Sequence, residues 1–162
     1  MRLGMVPCGA GVEVVLRRGV GEAEGLAFAR AKGGWIQSRM EQQSPRVPFA
    51  EGAEIPFLGA SLTIRHGPQM RGAVRRERGD LCVSGGVAHL PRRVAEWLKA
   101  QAREEISSRA HEMAERLGQR VRHIGLRDPR TRWGSCSAKG GLSFSWRLVL
   151  APVPVLDYVV AH

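Results

Sequence analysis

The sequence predicts an α+β fold: a small N-terminal α/β module with antiparallel strands, then a long helix, a three-stranded antiparallel sheet and the first turns of a further helix. Three observations lead there. Short apolar runs separated by Gly-containing turns recur between residues 55 and 84, a pattern of strands and tight turns. Residues 91–117 carry apolar side chains at three- and four-residue steps, which is the helical period. Leu142, Phe144, Trp146 and Leu148 alternate with Ser143, Ser145 and Arg147, which is the strand period. These patterns divide the chain into a module over 1–88 and a helix–sheet–helix unit over 89–162.

The elements follow in order. "RLGMV" and "VEVVL" flank the turn-forming "PCGAG", so residues 2–17 read as a β-hairpin. Leu26, Phe28, Ala29, Trp35, Ile36 and Met40 give residues 22–43 a helical spacing, weakened at Gly33-Gly34 and ended by Pro45 and Pro48. Strands are expected at Ile55–Leu58, Ser61–Arg65, Ala73–Arg78 and Leu81–Ser84, paired antiparallel across glycine turns. The Arg78-Gly79-Asp80 triplet sits in one of those turns, and a hairpin accounts for it better than adhesion-motif recognition does.

Pro91 suits a helix start and Gly118 a helix stop. Between them Val94, Trp97, Leu98, Ile106, Ala110, Met113 and Leu117 form one apolar stripe, with His111 at its border. "VRHIGLRD", "RWGSCS" and "LSFSWRLVL" then read as three strands, and Pro152 and Pro154 open a last apolar helix that reaches His162.

The chain carries 25 basic and 15 acidic residues, a formal net charge of +10. All the basic residues except Lys32, Lys99 and Lys139 are arginine, as a genome-wide codon bias would produce. Residues 116–162 are the more basic part, with Asp128 and Asp157 their only acids. Such a surface attracts polyanions, yet a solvated basic face explains it as well. Cys8, Cys82 and Cys136 are odd in number and far apart, which suits a reducing cytoplasm and neither a disulfide framework nor a thiolate zinc cage. No signal-peptide core and no run of about 20 apolar residues is present, so no membrane span is expected.

Several chemical readings fail on spacing. Gly19, Gly21 and Gly25 miss the dinucleotide-loop pattern by one position. Ser135 and Cys136 lie outside a G-x-S-x-G elbow, and no base can be placed beside them. His66, His89 and His123 have no ligand-like spacing. His162 differs by position: an apolar helix bearing a histidine after a strand is how an H-E-x-x-H zinc hydrolase begins. Histidines at i and i+4 then share a helix face and bind one Zn²⁺, with the intervening glutamate as base.

Against that background, "RDPRTRWGSCSAKGGLSFSWRLVLAPVPVLDYVVAH" resembles the core of the YgjP-like zinc-dependent metallohydrolases. That family is grouped with gluzincin-type peptidases and is related to the SprT-like and WLM groups. Arg132–Ser137, Ser145–Leu148 and Leu156–His162 match its R-W-G-S-C-S, N-W-R-L and L-D-Y-V-x-x-H pieces, with Ser145 where asparagine is usual. Weaker similarity runs upstream through "FARAKGGWIQSRM" and the long helix.

The resemblance implies that His162 is the first zinc ligand and that the glutamate, second histidine and third ligand would follow it. The 162-residue chain is therefore expected to be the N-terminal and central part of such a hydrolase, binding no zinc and lacking activity by itself. It further implies a peptide substrate held along an edge strand at about Leu142–Leu148. Trp133, Gly134, Ser135 and Cys136 would wall the site, with Ser145 nearby, Trp146 in the core and Arg147 facing the cleft or a carboxylate. Nucleoside-triphosphate pyrophosphohydrolysis is the alternative within the family. A non-catalytic basic nucleic-acid-binding module is the alternative outside it.

Overall fold

The computed structural model describes residues 2–5, 12–41, 48–69, 72–129 and 132–162. They gather into two compact units, residues 1–46 and 47–162. In the first unit β1 (Arg2–Met5) and β2 (Val12–Val15) form the expected hairpin, with Arg2 opposite Val15 and Met5 opposite Val12. Its turn and Cys8 lie outside the described residues.

The single helix expected over 22–43 is two, α1 (Glu22–Ala31) and α2 (Gly33–Glu41). The chain breaks at Lys32, whose amide donates back to the carbonyls of Phe28 and Ala29 at 3.2 and 3.1 Å. The next two residues are glycines, which lose the most conformational freedom on entering a helix. Leu26 and Trp35, two of the apolar residues that gave the segment its helical spacing, are exposed. Pro45 and the side chain of Met40 lie outside the description.

The second unit opens with β3 (Glu54–Phe57), β4 (Ala60–His66), β5 (Val74–Glu77) and β6 (Asp80–Val83), in the order β3-β4-β6-β5. Both hairpins turn on two residues with positive φ, Leu58-Gly59 (51° and 86°) and Arg78-Gly79 (45° and 96°). That is the turn geometry that matches strand twist. Antiparallel pairing does not hold throughout. β4 and β6 run parallel, with Thr63 beside Asp80 and His66 beside Val83. β5 crosses to the outer edge and β6 returns between it and β4. This places Leu62, Ile64, Leu81 and Val83, all fully buried, on the two central strands.

The helix α3 (Leu90–Arg116) buries Leu90, Val94, Leu98, Ala102, Ile106 and Ala110. Each step is four residues, about 40° more than one full turn, so five steps carry the stripe roughly 200° around the helix. The helix consequently packs against β5 and β6 as well as the later elements, including a final helix. Its end is a Schellman motif: Gly118, at φ 63°, donates to Glu115, and Gln119 donates to Ala114. Leu117, expected on the stripe, falls past the last helical residue and is exposed.

Next come β7 (His123–Arg127), β8 (Gly134–Cys136) and β9 (Gly141–Ser145), in the order β7-β9-β8. The expected antiparallel sheet is thus mixed: β8 and β9 form an antiparallel hairpin, whereas β7 runs parallel to β9. The last strand also ends earlier than its alternation suggests. At Ser145 the chain tightens into a 3₁₀ turn, Trp146–Leu150, whose first amide-side cap is the Ser145 hydroxyl accepting from Arg147 N–H at 3.3 Å. Trp146, Leu148 and Val149 are buried from this turn. The Val149 carbonyl accepts from the Leu58 amide at 2.8 Å, joining the 3₁₀ turn to the β3–β4 hairpin.

Pro152 then caps α4 (Val153–Ala161), which buries Leu156. One apolar cluster joins Ile55, Phe57, Leu62, Ile64, Leu81 and Val83 to α3, β9, the 3₁₀ turn and Leu156. This cluster lies within the second compact unit, residues 47–162.

Candidate active-site cleft

The cleft begins with hydrogen-bond alternation on β8. Ser145 N–H donates to the Trp133 carbonyl at 2.8 Å and Ser137 N–H to the Gly141 carbonyl at 2.9 Å. Ser135 lies opposite Ser143 between those two links. In an antiparallel ladder the backbone groups of alternate residues point to the partner and those between point away. Residues 133, 135 and 137 therefore face β9, and the N–H and C=O groups of Gly134 and Cys136 face outward. Among the described residues β8 pairs with β9 alone. It is an edge strand beside α4, and β9, expected as the substrate-holding edge at Leu142–Leu148, is the centre of its sheet.

Gly134 lies close to the helix. A Cβ there would stand 3.1 Å from Phe144 Cδ1 and 3.4 Å from Val159 Cγ1, so even a methyl group would require the Phe144 ring to give by a few tenths of an ångström and would fill the space up to Val159. Between β8 and α4 lies a cleft of about 260 Å³, lined by Gly134, Ser135, Cys136, Leu142 and Phe144 from the sheet and by Tyr158, Val159, Val160 and His162 from α4. Among the described residues no Lys, Arg, Asp or Glu is in that lining. Cys136 shares the Gly134 side of the strand, because side chains alternate, and its thiol is exposed. Tyr158 and His162 are one helical turn apart, with ring centroids 5.4 Å apart and planes 13° from parallel.

The helix bearing His162 is held by more than burial. Arg109 of α3 donates from Nε to Asp157 Oδ1 at 2.7 Å and also pairs with Glu105. Partial burial works against the Arg109 charge, but the bonds to Glu105 and Asp157 outweigh it and move its pKa up.

Of the residues singled out in the sequence, Gly134, Ser135, Cys136 and His162 meet in the cleft. Trp133 is exposed and contributes its carbonyl to the hairpin. Ser145, buried, caps the 3₁₀ turn. Trp146 and Arg147 stand elsewhere: the Arg147 guanidinium lies 4.6 Å from the Trp146 ring centroid and grips Asp128 through Nε and Nη2 at 2.7 and 3.0 Å. That guanidinium holds the Asp128 carboxyl below the usual carboxylate range, against a smaller opposing effect of burial. Among the described residues the buried Trp146 indole N–H has no hydrogen-bond partner within normal distance, although it leans towards the same carboxylate.

The cleft residues Leu142, Phe144, Tyr158, Val159 and Val160 were not foreseen as site residues. Their signal, apolar side chains of a strand and a helix, is that of any core. Among the described residues no three His, Cys, Asp or Glu side chains come together as a metal centre, and His162 is the one imidazole on the cleft. His66 approaches the Gly85 carbonyl at 2.5 Å and His111 the Ser107 carbonyl at 2.7 Å, while His89 precedes α3 and His123 starts β7. No helix is long and apolar enough to cross a membrane among the described residues.

No curated protein and no solved structure matches the chain. The family model of the YgjP-like metallopeptidase domain matches residues 2–162. With a free strand edge set beside a histidine-bearing helix, and with the match running over nearly its whole length, the chain belongs to the YgjP-like metallopeptidase-domain family.

Proposed function

We propose that this chain supplies the substrate-holding half of a peptide hydrolase site, with an extended peptide pairing along the outer edge of β8. The observation that carries the reading is the row of outward backbone groups at Gly134 and Cys136, opening on the cleft lined by His162. Strand addition uses such edges because the peptide's own amides complete the ladder. The family implies a metal cofactor, commonly zinc. One imidazole falls short of the four-coordinate set zinc requires, so the described residues by themselves do not fit that group. What these residues do is align a peptide beside His162, keep the apolar floor dry and hold α4 through Arg109 and Asp157. The 162-residue chain is accordingly proposed to bind peptide without cleaving it.

Peptide is preferred to a nucleoside triphosphate because the described residues lining the cleft include no Lys or Arg, and phosphates are held by cations or by rows of N–H groups at a helix start. The test is amide hydrogen exchange on the 162-residue chain, with and without a short extended peptide. Slower exchange at Gly134 and Cys136 is the expected result. Unchanged exchange at both, at saturating peptide, would refute edge pairing.

A further inference from the structure

We infer that the cleft selects one medium-sized apolar side chain of the bound peptide, inserted between β8 and α4. The inference rests on the edge-pairing reading above and adds the identity of the residue that is recognised. Three features converge on it. The outward groups of Gly134 and Cys136 set where a paired peptide must run, and successive peptide side chains then alternate between the two sheet faces. Every second one points to the face that carries α4, since Gly134 looks across to Phe144 and Val159 on that face.

The second feature is volume. A space of about 260 Å³ holds one leucine-, methionine- or phenylalanine-sized group and is too small for a folded element. The third is chemistry. Leu142, Phe144, Val159 and Val160 line the interior, while His162, Ser135 and the Cys136 thiol supply the polar groups. A charged or hydroxyl side chain inserted there would lose water and find, among the described lining residues, only Ser135, Cys136 and His162 to hydrogen-bond it and no Lys, Arg, Asp or Glu. An apolar one would replace water against four apolar neighbours.

The consequence for affinity is a preference of about ten- to a hundred-fold for Leu over Ser at the inserted position, the factor expected for burying one such side chain. Aspartate and lysine should bind no better than serine. Cys136 lies at the same opening and is exposed, so a bound leucine should also slow alkylation of its thiol.

The experiment uses the 162-residue chain and four acetylated, amidated pentapeptides of alanine with Leu, Ser, Asp or Lys at the centre. Three quantities are read: dissociation constants, exchange at the Gly134 and Cys136 amides, and the rate of Cys136 alkylation by iodoacetamide, located by mass spectrometry. Tighter binding of the Leu peptide by at least ten-fold, with slowed alkylation of Cys136, supports the inference. Equal affinities with both amides still protected overturn it while leaving edge pairing intact. No protection by any peptide overturns both. Val160→Thr, nearly isosteric, polarises the lining without emptying it and should cut the Leu-over-Ser ratio several-fold. Gly134→Ala should cut it further, and if that variant does not fold the Val160→Thr ratio still decides.

Discussion

Replacing Leu156 by alanine is expected to release the helix that carries His162. A nine-residue helix is marginal in water without tertiary contacts, so α4 exists because something holds it. Leu156 is its one fully buried side chain, at 0% exposure, in the cluster formed by α3 and the 3₁₀ turn. Truncating a leucine in such a site removes transfer energy and leaves a cavity, at a cost of about 2–5 kcal/mol. The ion pair between Asp157 and Arg109 is the competing anchor, but the Asp157 side chain is 52% exposed, and screened pairs of that kind contribute about 0.2–1 kcal/mol. Burial therefore outweighs the ion pair several-fold. Amide exchange over residues 156–161 reads the difference locally, alongside urea denaturation. Leu156→Ala should speed exchange there by at least thirty-fold, roughly 2 kcal/mol, whereas Asp157→Ala should change it by less than about six-fold, within the same ion-pair range. If Asp157→Ala proved the more damaging of the two, the view that packing positions His162 would be wrong.

Other expectations concern charge, turns and the strand edge. Asp128 has a depressed folded pKa, so its carboxylate contributes stability above the ordinary carboxylate range and loses it as pH falls through the folded value. The urea-midpoint gap between the native chain and Asp128→Asn should be present at pH 6 and close on acidification below about pH 4. Because that side chain is 50% exposed, the gap should stay below about 1 kcal/mol. Arg78 occupies a left-handed position in its turn, at φ 45°, where asparagine is better tolerated than arginine. Arg78→Asn should raise the thermal midpoint slightly; a drop would count against the turn assignment. The equivalent change at Leu58 should instead destabilise, since Leu58 also packs against the core.

The sequence by itself was enough to place most of the elements, though not the break at Lys32 or the 3₁₀ turn after Ser145. The β1–β2 hairpin, the start of α3 at its proline, the stop at Gly118, the β8–β9 hairpin and α4 all follow from local spacing and from turn residues. Family membership was equally legible, through Arg132–Ser137, Ser145–Leu148 and Leu156–His162. These are properties that a few neighbouring residues settle among themselves.

Only the tertiary structure decided how the strands pair. Alternation in Leu142–Phe144 says that one face is buried, but carries no information on whether a neighbour runs parallel or whether the strand is central. β9 is central because β7 covers one side and β8 the other, and β4 and β6 are parallel because the β5–β6 hairpin docks with β6 inward, which sets Leu81 and Val83 beside Leu62 and Ile64 in the core. The cleft is of the same kind. Gly134 and Val159 are far apart in sequence, and they are brought together by a hairpin that lies against Phe144 and by a helix docked through Leu156. A strand edge becomes a binding surface only when the sheet order leaves it open, and sheet order is a property of the packed core rather than of any single segment.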